Sequence, residues 1–83
     1  MTTKREELEK LSRDEGYFAK CTDDEPVFIL VAHDVLAVGL VMEWISQAEQ
    51  SGVANEKLMQ AKELSSQMME WRLRHPDLVK KPD

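Results

Sequence analysis

The chain changes character at Pro26. From there it runs Pro26-Val27-Phe28-Ile29-Leu30-Val31-Ala32-His33-Asp34-Val35-Leu36-Ala37-Val38-Gly39-Leu40-Val41-Met42, and Trp44 and Ile45 extend the run past Glu43. Only His33-Asp34 breaks its apolar character. The sequence on either side is charged and hydrophilic. A chain of 83 residues has little of its own to lay against such a segment. The excess predicts outside cover: a second copy, another protein or a membrane.

Ahead of the run, residues 3–15 read as a weak helix. Thr3 with Glu6 three residues on is a capping-box pattern. Glu6–Lys10 and Glu9–Arg13 are i,i+4 pairs in the favourable order. Leu8 and Leu11 are its only apolar side chains, so little holds it down. Gly16 is a natural stop, and Tyr17 and Phe18 are expected to pin the next loop to the core. Asp23-Asp24-Glu25-Pro26 is a helix-start signal, with proline at the first helical position. Residues 26–51 are therefore read as one long apolar helical segment, bent near 33–34, where Asp34 caps a fresh helix. A strand competes for 26–33, because Val27, Ile29 and Val31 are β-branched and Phe28 is aromatic. That strand has no partner within the chain and would pair across a dimer.

Within 34–51, Ala37, Val41, Trp44 and Ala48 follow a 4,3,4 spacing. Val35, Leu36, Val38, Leu40 and Met42 fill the other faces, which predicts burial nearly all round. Gly39 costs about 1 kcal/mol against alanine there and would let another backbone approach. Gly52 closes the helix. The last helix is expected over 55–74, with Asn55 as its cap. Ala61, Leu64, Met68 and Trp71 form a 3,4,3 seam, and Met69 and Leu73 form a flanking stripe. Pro76 ends this helix. The tail, 75–83, is expected to be extended and to dock by Leu78 and Val79. The turn between the two long helices is short, so they should form an antiparallel hairpin. Equal rise then puts Trp44 near Leu64 and Ala61, Trp71 near Leu36, and Asp34 near Arg72 or Arg74. The fold class that follows is all-α: a single small helical domain built on a helical hairpin and assembled as a homo-oligomer. Phe28, Leu30, Leu40, Trp44 and Trp71 are the predicted interface residues.

Charge and chemistry narrow the function classes. The chain is acidic, with 16 Asp and Glu against 11 Lys and Arg, a net charge of −5. That is the wrong sign for general nucleic-acid affinity. Cys21 is the only cysteine, so no disulfide forms within a monomer. The polar, acidic N-terminus does not resemble a leader, and the expected compartment is the cytoplasm. Cys21, His33 and His75 are widely separated and follow no ligand spacing, so neither a metal nor a cofactor is expected. No catalytic constellation is legible, and the expectation is a non-enzymatic protein. A small anionic ligand such as a nucleotide is the alternative, gripped in oligomer clefts by Arg72, Arg74 and Lys80, with His33-Asp34 as the polar step beside them. Tyr17 and Phe18 could stack on a base. The plainer roles are a helix cap or ion pair for Asp34 and a solvated basic helix end for the arginines. A membrane span over 27–45 would place Asp34 at its centre, at a cost of about 2.5–3.5 kcal/mol, and is disfavoured.

The stretch Glu25-Pro26-Val27-Phe28-Ile29-Leu30-Val31-Ala32-His33-Asp34-Val35-Leu36-Ala37 resembles the signature of small uncharacterised proteins encoded by proteobacteria and their temperate phages. Those read E-P-V-F-x-L-x-A-x-D-x-L-A, then a helix with tryptophan, a glycine turn, another helix and an ending similar to Lys81-Pro82-Asp83. The resemblance spans about 25–83. It departs at Val31, where the signature places a basic residue, and at His33, where it places glutamine. It implies a bacterial or phage origin and carries no assigned activity. The expected function is that of an accessory protein that binds and modulates a host protein.

Overall fold

The computed structural model of the protein describes residues 3–81. Among the described residues the most extensive packing is between two helices: α2, Ala37–Gln50, and α3, Asn55–Arg74. The turn between them is as expected. Ser51 caps α2 through its backbone N–H, and Gly52 follows with φ +79°, a left-handed conformation open to glycine. The helices return on each other as an antiparallel hairpin. Buried positions repeat the same rhythm on both: Val38, Val41, Ile45 and Ala48 on α2, and Leu58, Ala61, Ser65 and Met68 on α3. Equal rise from the turn puts these side chains in four layers. Each layer sets a larger side chain against a smaller one: Leu58 with Ala48, Ile45 with Ala61, Val41 with Ser65, Met68 with Val38. Alternation of this kind lets helix backbones approach closely without voids.

The expected face of α2 is buried at three of its four positions and departs at the fourth. Ile45, not Trp44, enters the core, and Trp44 is 45 % exposed. Ala37, Val41 and Ala48 are buried as their spacing suggested. Burial all round is not found: Leu36, Leu40 and Met42 are exposed. Gly39 lies on the outward side, and no atom comes within 4 Å of where its Cβ would be. The backbone approach expected at Gly39 does not occur within the chain. On α3 the expected bounds hold, but the helix starts without a side-chain cap: Ala54 takes the N-cap position and Asn55 is the first helical residue.

The largest departure lies before α2. Residues 26–33 are not helical; 25–31 carry no regular structure, and turns occupy 32–36. Pro26 leaves the segment one donor short, and three of the next five residues are β-branched. A single hairpin also has no second apolar surface to cover a helix there. Asp34 does not cap α2 as expected: Leu36 takes the N-cap position without a side-chain bond, and Asp34 closes the turn before it. Its Oδ1 accepts the Leu36 N–H at 2.8 Å, its carbonyl accepts the Ala37 N–H at 3.0 Å, and α2 starts only at Ala37. Leu30 and Ala32 pack on the core, together with Leu64.

Helix α1, Lys4–Ser12, is shorter than the expected 3–15 and buries none of its residues. Thr3 caps it, with Oγ1 accepting the Glu6 N–H at 3.3 Å. The Glu6 carboxylate turns back to the Thr3 hydroxyl at 3.2 Å, and Arg13 pairs with Glu15 at 3.5 Å, so neither expected i,i+4 pair forms. Asp14 and Gly16, at φ 58° and 87°, turn the chain out of the helix. A 3-10 turn over Phe18–Lys20 follows.

At the other end, a 3-10 turn over Pro76–Leu78 brings the tail back to α2. Lys80 N–H donates to the His33 carbonyl at 2.9 Å, and the Lys80 carbonyl accepts the Val35 N–H at 2.9 Å. This two-bond parallel bridge locks residues 33–35 to the C-terminal tail. Val79 is half-buried, but Leu78, expected to dock, is exposed.

The molecule is open for its size. Its accessible surface is 6761 Å², where a folded monomer of 9.6 kDa shows about 5,100 Å².

Candidate binding surfaces

The expected ligand residues fall into two groups. The Lys80 bridge joins His33, Asp34 and Lys80, but the Asp34 carboxylate is engaged by the Leu36 N–H. Arg72 and Arg74 sit on the last turn of α3. Two residues apart on a helix, they project about 200° from each other. Arg72 is half-buried and Arg74 exposed. Asp34, expected beside these arginines, instead meets the Lys80 backbone. Trp71 is half-buried and stacks on His75 with ring centroids 4.4 Å apart, while His75 Nδ1 lies 3.0 Å from the Trp71 carbonyl. Of the expected interface residues, Phe28, Leu40 and Trp44 are exposed, and Leu30 and Trp71 are half-buried.

The fold assembles a basic depression of ≈ 300 Å³ that the sequence did not advertise. Lys10, Gly16, Tyr17, Lys20, Lys57 and Gln60 line it. Lys57 Nζ donates to Tyr17 Oη at 2.6 Å and lies 4.3 Å from the ring centroid, and Lys20 Nζ lies 5.8 Å from the same centroid. The tyrosine thus anchors the segment before the apolar run to the start of α3. Glu7 supplies a nearby counter-charge: its carboxylate lies 3.3 Å from where a Gly16 Cβ would sit. Lys57 is 40 residues from Tyr17, so no local spacing could have revealed the cluster.

A third surface is apolar. Met59, Lys62, Ser66, Met69 and Leu73 follow a 3,4,3,4 spacing along one side of the α3 seam. Met42 and Glu49 hold the matching side of α2. The register is fixed by the Lys62–Glu49 ion pair at 3.0 Å and by a shallow depression lined by Met42, Ile45, Lys62 and Ser65. Met42, Met59, Met69 and Leu73 are all exposed, Leu73 at 82 %. The opposite flank differs: Leu64 and Trp71 are half-buried there. The flanking stripe expected from Met69 and Leu73 is thus real, and it faces outward.

Among the described residues no group of three or more His, Cys, Asp or Glu gathers at metal-binding distance. No described helix is long and apolar enough to cross a membrane. No family model, curated protein or solved structure matches this chain.

Proposed function

We propose that this chain is a non-enzymatic accessory protein, of phage or bacterial origin, that acts by binding and modulating a host protein. The observation that carries the reading is the Met42–Met59–Met69–Leu73 flank. Four large unbranched or γ-branched side chains lie open beside a structured helical seam, with the Lys62–Glu49 pair among them. Methionine is flexible and polarizable, and it suits a surface that adapts to a partner. A partner helix with its own apolar stripe would lie along the groove between α2 and α3. The test uses the full chain, immobilised, against lysate of the cell of origin, beside a Met69→Glu/Leu73→Glu double variant. The expected result is a protein retained in stoichiometric amount by the parent and released by the variant. Equal retention by both would overturn the reading.

The basic depression supports a second reading, the binding of a small anion such as a nucleotide phosphate. Two ammonium groups lie 4.3 and 5.8 Å from the centre of an aromatic ring on which a base could stack, and a third lysine lines the same depression. ATP and inorganic phosphate at low salt should then raise the melting temperature, and Lys57→Ala should abolish the rise. An unchanged melting temperature in both ligands would sink it.

A further inference from the structure

Residues 26–32 form a segment with an unpaired stretch of backbone, 27–30, and with most of its large side chains open. No hydrogen bond joins the backbone of 27–30 to any described residue. Val27, Phe28, Ile29 and Val31 are all exposed. Leu30 and Ala32 pack on the core, so the outer half of the segment already alternates in the period-2 manner of a strand with one face covered. Natural proteins guard such an edge with charges, yet 26–32 contains none.

We propose that this segment pairs with the same segment of a second copy, as an antiparallel two-stranded ladder centred on Ile29. Four observations select a second copy as the occupant. First, the register is self-complementary. Position i faces 58 − i, so Val27 lies across from Val31 and Ile29 from Ile29 on the outer face, all β-branched pairs suited to a ladder. Second, the inner face solves the problem of Phe28, which is 82 % exposed. It falls opposite the partner copy's residue 30, a leucine packed on its own core, so the ring closes over the partner's hairpin. Third, the ends carry opposite charge. Asp23, Asp24 and Glu25 precede the segment, and the bridge holds Lys80, with Lys81 after it, beside residues 33–35 at its other end. Antiparallel pairing sets the acidic end of each copy near the basic end of the other, twice by symmetry. Asp34, whose carboxylate accepts the Leu36 N–H, and Asp77, three residues before Lys80, reduce the net positive charge of that end. Fourth, the surface excess over a folded monomer of this mass exceeds the roughly 800 Å² per partner that a standard interface covers.

This inference does not rest on the host-binding reading, since it uses a different surface from the methionine flank. Light scattering on the full chain should give a mass near twice 9.6 kDa. Ile29→Pro removes a ladder donor at a position with no intramolecular bond, and should halve the mass while leaving helical circular dichroism intact. Met69→Glu/Leu73→Glu should keep the doubled mass. In a Cys21→Ser background, Ile29→Cys should oxidise to a linked dimer, because only the central position faces itself within disulfide reach. Val27→Cys alone should not, but should link when mixed with Val31→Cys. A folded monomer at all concentrations would overturn the proposal. So would an Ile29→Pro protein that stays dimeric, or cross-linking that ignores this register.

Discussion

Two stretches of this chain are both strongly apolar and meet opposite fates. Residues 37–48 put five side chains into the core. Residues 26–31 put in one, Leu30, and only as a partial contributor. Hydrophobicity therefore does not decide burial here; the presence of a matching surface does. Helix α2 meets α3 across four layers of reciprocal size. The earlier segment meets only the edge of a seam already filled from both sides. A chain this short supports one helix–helix seam, and a second apolar stretch is left for something outside it.

The contrast breaks most sharply at neighbouring large side chains. Ile45→Ala should lower unfolding free energy by about 2–4 kcal/mol, since it leaves a cavity against Ala61. Trp44→Ala, beside it but outside the seam, should cost less, as should Ile29→Ala measured at dilution. Urea unfolding followed by circular dichroism checks all three. If Trp44→Ala proved the costliest of the set, the face assigned to α2 would be wrong.

The boundary between the two regions can be cut without touching an apolar group. Lys80→Pro deletes the N–H that binds the His33 carbonyl, and should cost about 1–3 kcal/mol by leaving that bond unmade. Val79 has φ −75° and ψ 125°, a conformation that tolerates a following proline. Lys80→Ala keeps both backbone bonds of the bridge and serves as the control for the side chain. Amide exchange at Val35, which donates to the Lys80 carbonyl, should accelerate in the proline variant alone. Equal exchange in both would mean that the tail is not what holds 33–35.

Helix interior and outside cover can also be told apart at Gly39. Its helical position and the empty space around its Cβ predict that Gly39→Ala stabilises an isolated chain by about 1 kcal/mol. A loss on thermal melting would instead mean that another backbone rests there in the assembled protein, as the sequence alone suggested. Gly52→Ala should go the other way in either case, because its positive φ strains any side chain.

How much was legible follows the same divide. The hairpin was readable because punctuation and period agreed: Gly52 marks the turn, Pro76 bounds α3, and both bounds of that helix were recovered. One position on the face of α2 was not readable, because a helix apolar on nearly every side offers no contrast from which to choose between Trp44 and Ile45. Ser65 was overlooked because its burial depends on size, as the small partner of Val41, and not on hydrophobicity. The segment 26–33 was misread as helix because Pro26 after three acids is a strong start signal; nothing local says that the chain lacks a surface to cover a helix there. The lysine depression needed the 40-residue contact of Tyr17 with Lys57 before it existed at all.

Helix α1 gives the smallest effect and the cleanest test of independence. Its cap is complete, yet none of its residues is buried. Thr3→Ala removes the side-chain acceptor for the Glu6 N–H, a change worth about 1 kcal/mol to a helix terminus. In a helix fastened to the core, that amount would appear in global stability. Here it should appear only locally, as faster amide exchange over 4–12 and a small loss of helical signal, with the urea midpoint of the hairpin unmoved. Stability is not uniform across a fold, and an unburied helix can open without the rest. A midpoint that fell by the full amount would show that α1 is part of the cooperative core, and would attribute the Tyr17–Lys57 anchor to the whole N-terminal region and not to the loop after it.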